Sequence, residues 1–396
     1  MSRINKNMNK LLFFLLITST CFAQQEPSNN VLRTEFMLGK SIPSYELFTG
    51  NNPQVVLGIS YEHKNTDDTV EWQSILNHPT TGIGLFYTNY GTKTKGQSLS
   101  LIPFVAFHPI KNYKWSTKFG MGISYFDTQY HPINNPDNHG VSTRFTWAIQ
   151  GFLYYDSNWL KKHDLRLGLG VFHQSNGHTR LPNEGYNSAL LSISSTFDLK
   201  KSFVNTEEIF DKSTVKKYGD YFYEMKVGNG FHAFITENST VKSVYSFEAK
   251  GGLFYKNIVK LSVGINYRFY QHYYDYIVAN QLETFIENPK WNASNINISI
   301  GAEVLLGKVG IDWEGGLNLY KPFYKTHFDM QKTKSKYKLK KLFLGKLGLK
   351  WYAINTKNKP INNFYIAAHI NSNLSQADFS EVSIGFVHRM IKKSNK

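Results

Sequence analysis

The chain has 396 residues, a formal net charge of +16 at pH 7 and a single cysteine, Cys21. A positive excess of this size favours an anionic partner, either nucleic acid or a phosphate-bearing membrane surface, unless the lysine-rich loops are simply solvated. Because Cys21 falls in a segment that we expect to be cleaved off, the mature chain would hold no thiol. Disulfides, thiol catalysis and cysteine-ligated metal sites are thereby excluded.

The first 23 residues have the pattern of a secretion signal. Three basic residues precede an apolar run at 11–17, and Cys21-Phe22-Ala23 has the small-x-small pattern of a cleavage site. The apolar run is too short to span a bilayer as a helix. We therefore predict a cleavable signal peptide over residues 1–23, a mature chain from Gln24, and an exported protein for which nucleic acid is not the partner.

From residue 24 onward, the chain shows the period-two alternation of β-strands and no convincing amphipathic helix. In Val259–Phe269 one face is apolar and the other largely polar, and Ile296–Val304 and Val309–Leu319 alternate in the same way. Strands of about ten residues suit a bilayer crossing, although a soluble β-sandwich would show the same alternation. Strand length, export and an aromatic content of 15% favour an all-β, antiparallel transmembrane barrel in the outer membrane.

We count about sixteen such strands, eight before residue 200 and eight after it. With both termini periplasmic, the loops after odd-numbered strands face outside. These are the polar connections near 40–52, 127–141, 272–293 and 321–340. No Pro/Gly/Ser-rich linker separates the two halves, so we favour one sixteen-stranded barrel over residues 24–396 rather than two eight-stranded barrels.

Two strands near the end of the first half carry polar residues on an apolar face. In the first strand, His173 and Ser175 share the parity of four apolar residues, Leu165, Leu167, Leu169 and Val171. In the next strand, Asn187 is in phase with Ala189, Leu191, Ile193 and Phe197. If the strands form a barrel, these faces look into lipid, where polar groups are costly and indicate function.

Residues two apart on a strand point the same way, so the base His173 and the nucleophile Ser175 would be neighbours. A membrane-embedded esterase accounts for this placement, because its substrate comes from the bilayer itself. The alternative is a plain hairpin rim, where a His and a Ser at headgroup level bond to the loop backbone.

The run His173-x-Ser175-Asn176, followed by Pro182-Asn183-x-Gly185, resembles the active-site hairpin of the lipid A 3-O-deacylase family. Members of that family are eight-stranded outer-membrane barrels that hydrolyse an ester-linked acyl chain on lipid A. The resemblance implies that Ser175 is the nucleophile and His173 the general base. It also implies that Asn176, with neighbouring backbone N–H groups such as that of Gly177, holds the oxyanion. No cofactor is implied.

The third member of the family's triad is a Glu, and the matching position here is Asn187. An Asn can orient a histidine through its side-chain carbonyl, but it offers no full negative charge to stabilise an imidazolium. Glu184 is nearby but lies off the motif position. With Asn at position 187, we expect either a slower enzyme or a different group that orients His173.

The segment Tyr130–Asn138 also resembles a loop of the longer, exported acyloxyacyl hydrolases. The resemblance as a whole covers about the first 200 residues.

Residues 201–396 form a second, degenerate half that contains an echo of the motif: His369, Ser372 and, further on, Glu381. His369 and Ser372 are three apart, so they face opposite sides of a strand. We expect His369 to point inward, and we interpret the echo as a decayed duplicate or a lumen network rather than a second triad.

Three functions remain open from the sequence. The first is a serine esterase acting on lipid A of lipopolysaccharide, whose phosphates also suit the positive charge of the chain. The second is a non-catalytic porin or binding barrel with Arg268, Glu303, Asp312 and Glu314 lining a wet lumen. The third is a phospholipase. The thirteen histidines lack convergent carboxylates at ligand spacing, so we expect no metal site, and the sequence leaves open whether the protein forms a homodimer.

Overall fold

The computed structural model describes residues 29–43, 52–108, 114–157, 165–197, 218–234, 240–324, 334–374 and 376–391. The predicted signal peptide, residues 1–23, lies outside the described residues. Most of the described residues lie in antiparallel β-strands, and the others lie in the connections between these strands or at their ends.

The first half of the chain forms a closed barrel in which each strand pairs with the next and β8 pairs back with β1. Its strands are β1 (Asn30–Ile42), β2 (Gln54–Lys64), β3 (Thr80–Asn89), β4 (Gln97–Phe107), β5 (Trp115–Phe126), β6 (Phe145–Ser157), β7 (Leu165–Ser175) and β8 (Tyr186–Phe197). One short helix, α1 (Glu71–Ile75), lies in the connection between β2 and β3.

The second half forms another closed barrel, in which β16 pairs back with β9. Its strands are β9 (Tyr218–His232), β10 (Lys242–Tyr255), β11 (Val259–Tyr270), β12 (Ser294–Leu306), β13 (Val309–Tyr320), β14 (Phe343–Tyr352), β15 (Asn362–Asn373) and β16 (Gln376–Met390). The connections between its strands include the helices α2 (Gln271–Ala279), α3 (Pro289–Asn292) and α4 (Lys334–Leu342) and a 3-10 turn (Thr356–Asn358).

The sequence correctly predicts an all-β antiparallel barrel fold, with eight strands on either side of residue 200, but the prediction of one sixteen-stranded barrel is wrong. The closing pairs decide this: Leu38 of β1 lies opposite Leu191 of β8, and Val227 of β9 lies opposite Ile384 of β16. The interior of an eight-stranded barrel is just wide enough for side chains to fill it, whereas a sixteen-stranded barrel encloses a water-filled channel.

Large inward side chains fill the described part of the first barrel. Lys118 Nζ lies 2.9 Å from Glu35 Oε2, and Arg33 Nε lies 3.0 Å from Glu62 Oε1. An apolar cluster packs beside these ion pairs and contains Met37, Val56, Phe86, Ile102, Ala148, Phe152, Tyr154, Phe172 and Leu190. Each of these four buried charges therefore has an oppositely charged partner at contact distance, as burial of a charge requires.

A network of lysines and carboxylates fills the second barrel. Lys350 Nζ, for example, lies 2.8 Å from Glu224 Oε1 and 2.9 Å from Glu303 Oε2. The network contains Lys226, Lys250, Lys260, Lys346 and Lys350 together with Glu224, Glu248, Glu303, Asp312, Glu314 and Glu381. His369 points into this interior, as the alternation predicts, and its Nε2 lies 3.1 Å from Asp312 Oδ2.

The outward faces of both barrels are apolar. Leu169, Leu191, Val263 and Ile300 are each at least 60% exposed. A closed barrel with polar groups inside and an apolar outer band satisfies its backbone internally and presents the surface that a bilayer requires. Separately, none of the helices among the described residues combines the length and apolar character needed to cross a membrane.

The two barrels pack side by side. Val105 and Met121 point outward from the first barrel, yet only 2% and 1% of their surface is exposed. Around them, the walls of both barrels enclose an apolar cavity of about 300 Å³, lined on the side of the second barrel by Leu306, Val309, Ile311 and Leu349. Nearby, Lys359 Nζ lies 2.7 Å from Glu71 Oε1 of α1. Part of each apolar wall therefore faces the other barrel instead of lipid.

Candidate active site

The candidate site lies where β7 and β8 reach the rim that carries the loops after odd-numbered strands, here called the upper rim. His173 of β7 and Asn187 of β8 are directly opposite each other in the antiparallel register. Ser175 follows His173 by two residues and shares its outward face. The pleat and register of one hairpin thus bring the three predicted residues together.

These three side chains form a chain of hydrogen bonds. His173 Nε2 lies 2.9 Å from Ser175 Oγ, and His173 Nδ1 lies 2.7 Å from Asn187 Oδ1. An amide oxygen can only accept a hydrogen bond, so Nδ1 carries the proton and Nε2 is left to accept the Ser175 hydroxyl proton. The imidazole is therefore held in the tautomer that a general base requires.

Glu184 does not take the place of the missing carboxylate. It lies exposed on the loop, and its backbone N–H donates to His139 O at 3.0 Å. The group bonded to His173 Nδ1 is the side chain of Asn187. Of the two orienting groups that the sequence suggests, the structure places only Asn187 against the histidine.

Asn176 shapes the loop that follows Ser175. Its side-chain amide donates to Ser142 Oγ at 3.0 Å and to Arg180 O at 2.8 Å, and its backbone N–H donates to Asn183 Oδ1 at 2.9 Å. All three of its N–H groups are therefore engaged within the upper rim. In this structure Asn176 positions the loop and is not a free oxyanion donor. Gly177 comes next with a φ of +63°, a left-handed conformation that favours glycine.

The site is tightly packed on its loop side. Ser175 is only 4% exposed, while His173 and Asn187 are half-buried. A Cβ atom placed on Gly185, whose φ is +72°, would lie 3.1 Å from His173 Cε1 and 3.2 Å from Ser175 Cβ. Glycine at 185 thus lets the loop backbone approach His173 and Ser175 closely.

The segment 130–141 between β5 and β6 supports this loop. Gly185 N–H donates to Gly140 O at 2.9 Å, and the Tyr186 hydroxyl donates to Asn138 Oδ1 at 2.5 Å. Asn138 in turn donates to Thr94 O at 3.0 Å. The segment in which the sequence shows a second resemblance therefore lies against the loop that carries the candidate site.

An apolar strip leads from the site down the outer wall of β7 and β8. Val171 lies opposite Ala189, Leu169 lies opposite Leu191, and all four residues are exposed. The strip begins directly below His173 and Asn187. A continuous apolar surface on the outer wall therefore ends at the Ser175 hydroxyl.

Sequence reasoning misses several residues that surround the site. Trp147 of β6 lies directly opposite Ser175, Ser142 and Arg180 hold Asn176, and Ser380 approaches from the second barrel. Strand alternation gives the face of each residue but not its cross-strand partner. No signal in the sequence places Ser380 beside a loop about 200 residues earlier in the chain.

A family model described as lipid A 3-O-deacylase (PagL) matches residues 56–196. The first barrel matches the lipid A 3-O-deacylase family. The match runs from β2 to β8 and includes Ser175, His173 and Asn187. The second barrel lies outside the range of the lipid A 3-O-deacylase match.

The chain shows similarity to several solved structures. The crystal structure of the outer membrane enzyme PagL is 17% identical, with 41% of this chain and 97% of that chain covered and a TM-score of 0.31. A bacterial polysaccharide outer membrane secretin is 10% identical, with 92% of this chain and 100% of that chain covered and a TM-score of 0.21. The CymD monoaromatic hydrocarbon channel is 11% identical, with 93% and 90% covered and a TM-score of 0.18. No curated protein sequence matches the chain.

Proposed function

We propose that this protein is an outer-membrane serine esterase that removes an ester-linked acyl chain from lipid A of lipopolysaccharide. The observation that carries the proposal is the hydrogen-bonded series Ser175–His173–Asn187 on the lipid-facing wall of the barrel that matches the deacylase family. A nucleophile, a base and an orienting group in hydrogen-bond contact form the arrangement that nucleophilic ester cleavage needs.

In the proposed reaction, Ser175 Oγ attacks the acyl carbonyl carbon while His173 Nε2 takes the hydroxyl proton. The tetrahedral intermediate collapses, the C–O bond to the sugar or acyl-chain oxygen breaks, and His173 returns the proton to that oxygen. Water, deprotonated by His173, then attacks the acyl-serine carbonyl carbon. The bond between that carbon and Ser175 Oγ breaks, His173 returns the proton to Oγ, and the fatty acid is released. Asn187 Oδ1 holds Nδ1–H throughout, so the imidazole does not rotate away.

Two further features support lipid A as the substrate. The apolar strip along Leu169, Val171 and Leu191 suits an acyl chain that stays in the membrane. At the upper rim, α4 presents the cationic side chains of Lys338, Lys340 and Lys341, which suit a phosphorylated headgroup. With periplasmic termini the upper rim faces outside, where lipopolysaccharide lies.

The porin alternative finds little support in the described part of the chain. Glu303, Asp312, Glu314 and Arg268, which that hypothesis places along a wet lumen, are each at most 2% exposed. The three carboxylates bond to lysines or His369, and Arg268 Nη2 donates to Asn371 Oδ1 at 2.8 Å. Side chains occupy the space that an aqueous channel would need.

The proposal is tested by mass spectrometry of lipid A from a Gram-negative host with fully acylated lipid A. The host carries either the gene or an empty vector. We expect a new lipid A species that lacks one acyl chain only when the protein is made, and the lost mass identifies the ester that is cut. Unchanged lipid A together with lysophospholipid would establish a phospholipase instead. No lipid product from a protein folded in the outer membrane would overturn the esterase proposal.

Replacing Asn187 with glutamate is expected to raise kcat by about 10-fold or more. A carboxylate stabilises the imidazolium that forms as Ser175 attacks. In a serine triad, replacing the carboxylate with an amide lowers kcat by about 10⁴-fold, because the histidine is then held in the wrong tautomer. The expected gain is smaller here because Asn187 Oδ1 already accepts from His173 Nδ1 and so holds the correct tautomer. The measurement is the initial rate of deacylation in mixed micelles, with Asn187→Ala as the matched control. Asn187→Ala is expected to be slower than wild type, and a glutamate variant no faster than wild type would contradict the role of residue 187.

A further inference from the structure

Two residues of the second barrel bond directly to the loop that follows Ser175. Ser380 of β16 accepts a hydrogen bond from Trp147 Nε1 at 2.8 Å and donates one to Gly177 O at 3.3 Å. Ala233, just after β9, donates its backbone N–H to His178 O at 2.9 Å. The two loop residues that accept these bonds, Gly177 and His178, follow Ser175 by two and three residues.

Ser380 contacts two residues close to Ser175, one on the adjacent strand and one further along the same chain segment. Trp147 is the residue of β6 that lies directly opposite Ser175, and Gly177 lies next but one along the chain. The contact leaves no space: a Cβ atom placed on Gly177 would lie 2.1 Å from Ser380 Oγ and 3.0 Å from the Trp147 ring. The second barrel therefore fixes the nucleophile's surroundings across the sheet and along the strand.

This contact is confined to the upper end of β16. Ser380 is 7% exposed, whereas the next outward residues of the same strand, Val382 and Ile384, are 58% and 61% exposed. Ser175 is itself only 4% exposed, and the open apolar strip lies on the other side, along Val171 and Leu169. The rim of the second barrel lies over one flank of the site, so the substrate has to approach along β7 and β8.

We propose that the second barrel is a working part of the esterase, with Ser380 as a positioning residue for the catalytic loop. This inference rests on the proposed function. The backbone N–H of Asn176 is bonded to Asn183 Oδ1, so the next N–H groups along this loop after the nucleophile are those of Gly177 and His178. An oxyanion forming on the acyl carbonyl depends on donors held in place before reaction. A displacement of about 1 Å in such a group costs on the order of 100-fold in rate.

The consequence for kinetics is specific. Among the described residues, the hydrogen bonds of Ser380 go to Trp147 and Gly177 and not to the apolar strip or α4, so loss of its hydroxyl should leave substrate binding largely intact. Loosening of Gly177 and Trp147 acts instead on the reacting geometry. Removing the Ser380 hydroxyl therefore lowers kcat and leaves KM nearly unchanged.

The experiment is a double-mutant cycle of Ser380→Ala and Trp147→Phe in the full-length protein, with two readouts. One is deacylation of lipid A in micelles, and the other is the rate at which a fluorophosphonate probe labels Ser175. Each single variant is expected to lower kcat and the labelling rate by about 10-fold with KM within about twofold. The double variant is expected to be no slower than either single one, because both remove the same hydrogen bond.

The matched control is Ser372→Ala. Ser372 is also an outward rim serine of the second barrel, but its hydroxyl bonds within that barrel, to Gly345 O and Leu374 O, each at 3.2 Å. This variant is expected to react like wild type. Wild-type labelling rates in Ser380→Ala, or losses that multiply in the double variant, would overturn the positioning role. Labelling that depends on Ser380 without any cleavage of lipid A would keep that role and reject the proposed substrate. A wild-type protein that the probe does not label would reject both.

Discussion

Replacing Ser175 with alanine is expected to abolish acyl-chain removal, with a loss of about 10⁴-fold or more in kcat. Ser175 supplies the attacking hydroxyl of the hydrogen-bonded series, in which His173 acts as the base and Asn187 as the orienting group, and serine hydrolases that lose the nucleophile fall by factors of this size. The measurement is the rate of product formation on lipid A in mixed micelles, followed by mass spectrometry.

Ser195→Ala is the matched control for this variant. Ser195 faces outward on β8 of the same hairpin, and among the described residues its hydroxyl donates to the neighbouring backbone carbonyl of Thr196, at 3.5 Å. This variant should keep wild-type activity, and both proteins should show the same heat-dependent mobility shift of a folded barrel on electrophoresis. Activity of a folded Ser175→Ala protein within about tenfold of wild type would show that another group attacks the ester.

Replacing Lys250 with methionine is expected to destabilise the second barrel by roughly 3–5 kcal/mol, the usual cost of removing one partner of a buried ion pair. Lys250 Nζ bonds to Glu314, lies 2.7 Å from Glu248 Oε1, and is 3.8 Å from both Asp312 and Glu224. Methionine has a similar volume but no charge, so these carboxylates lose a cation in a buried site. Urea unfolding in detergent micelles measures the change in free energy.

Lys242→Met is the control that separates the effect of burial from the effect of losing an ion pair. Lys242 also pairs with a carboxylate, with its Nζ 3.3 Å from Asp275 Oδ2, but both side chains are about 40% exposed. Exposed pairs contribute about 1 kcal/mol or less, so this variant should unfold close to wild type. Equal effects of the two substitutions would mean that the interior of the second barrel is hydrated, which would restore the case for a channel.

Much of the fold and the core of the candidate site could be predicted because they depend on local geometry. A strand places alternate residues on opposite faces, so the parity of Leu169, Val171, His173 and Ser175 follows from the sequence alone. The outward position of Asn187 follows in the same way from the parity of β8. The same parity argument predicts that His369 points inward and that Ser372 lies on the opposite face of its strand.

The sequence by itself determined the all-β barrel class, the strands, and the outward faces of the residues on β7 and β8. Only the tertiary structure decided that the strands close into two barrels, that Asn187 and not Glu184 bonds to His173, and that Ser380 packs beside the site. The physical reason is that alternation is fixed by each strand's own backbone. Closure, register and contact between barrels depend on which distant segments satisfy each other's hydrogen bonds and fill each other's space, and no local pattern records that choice.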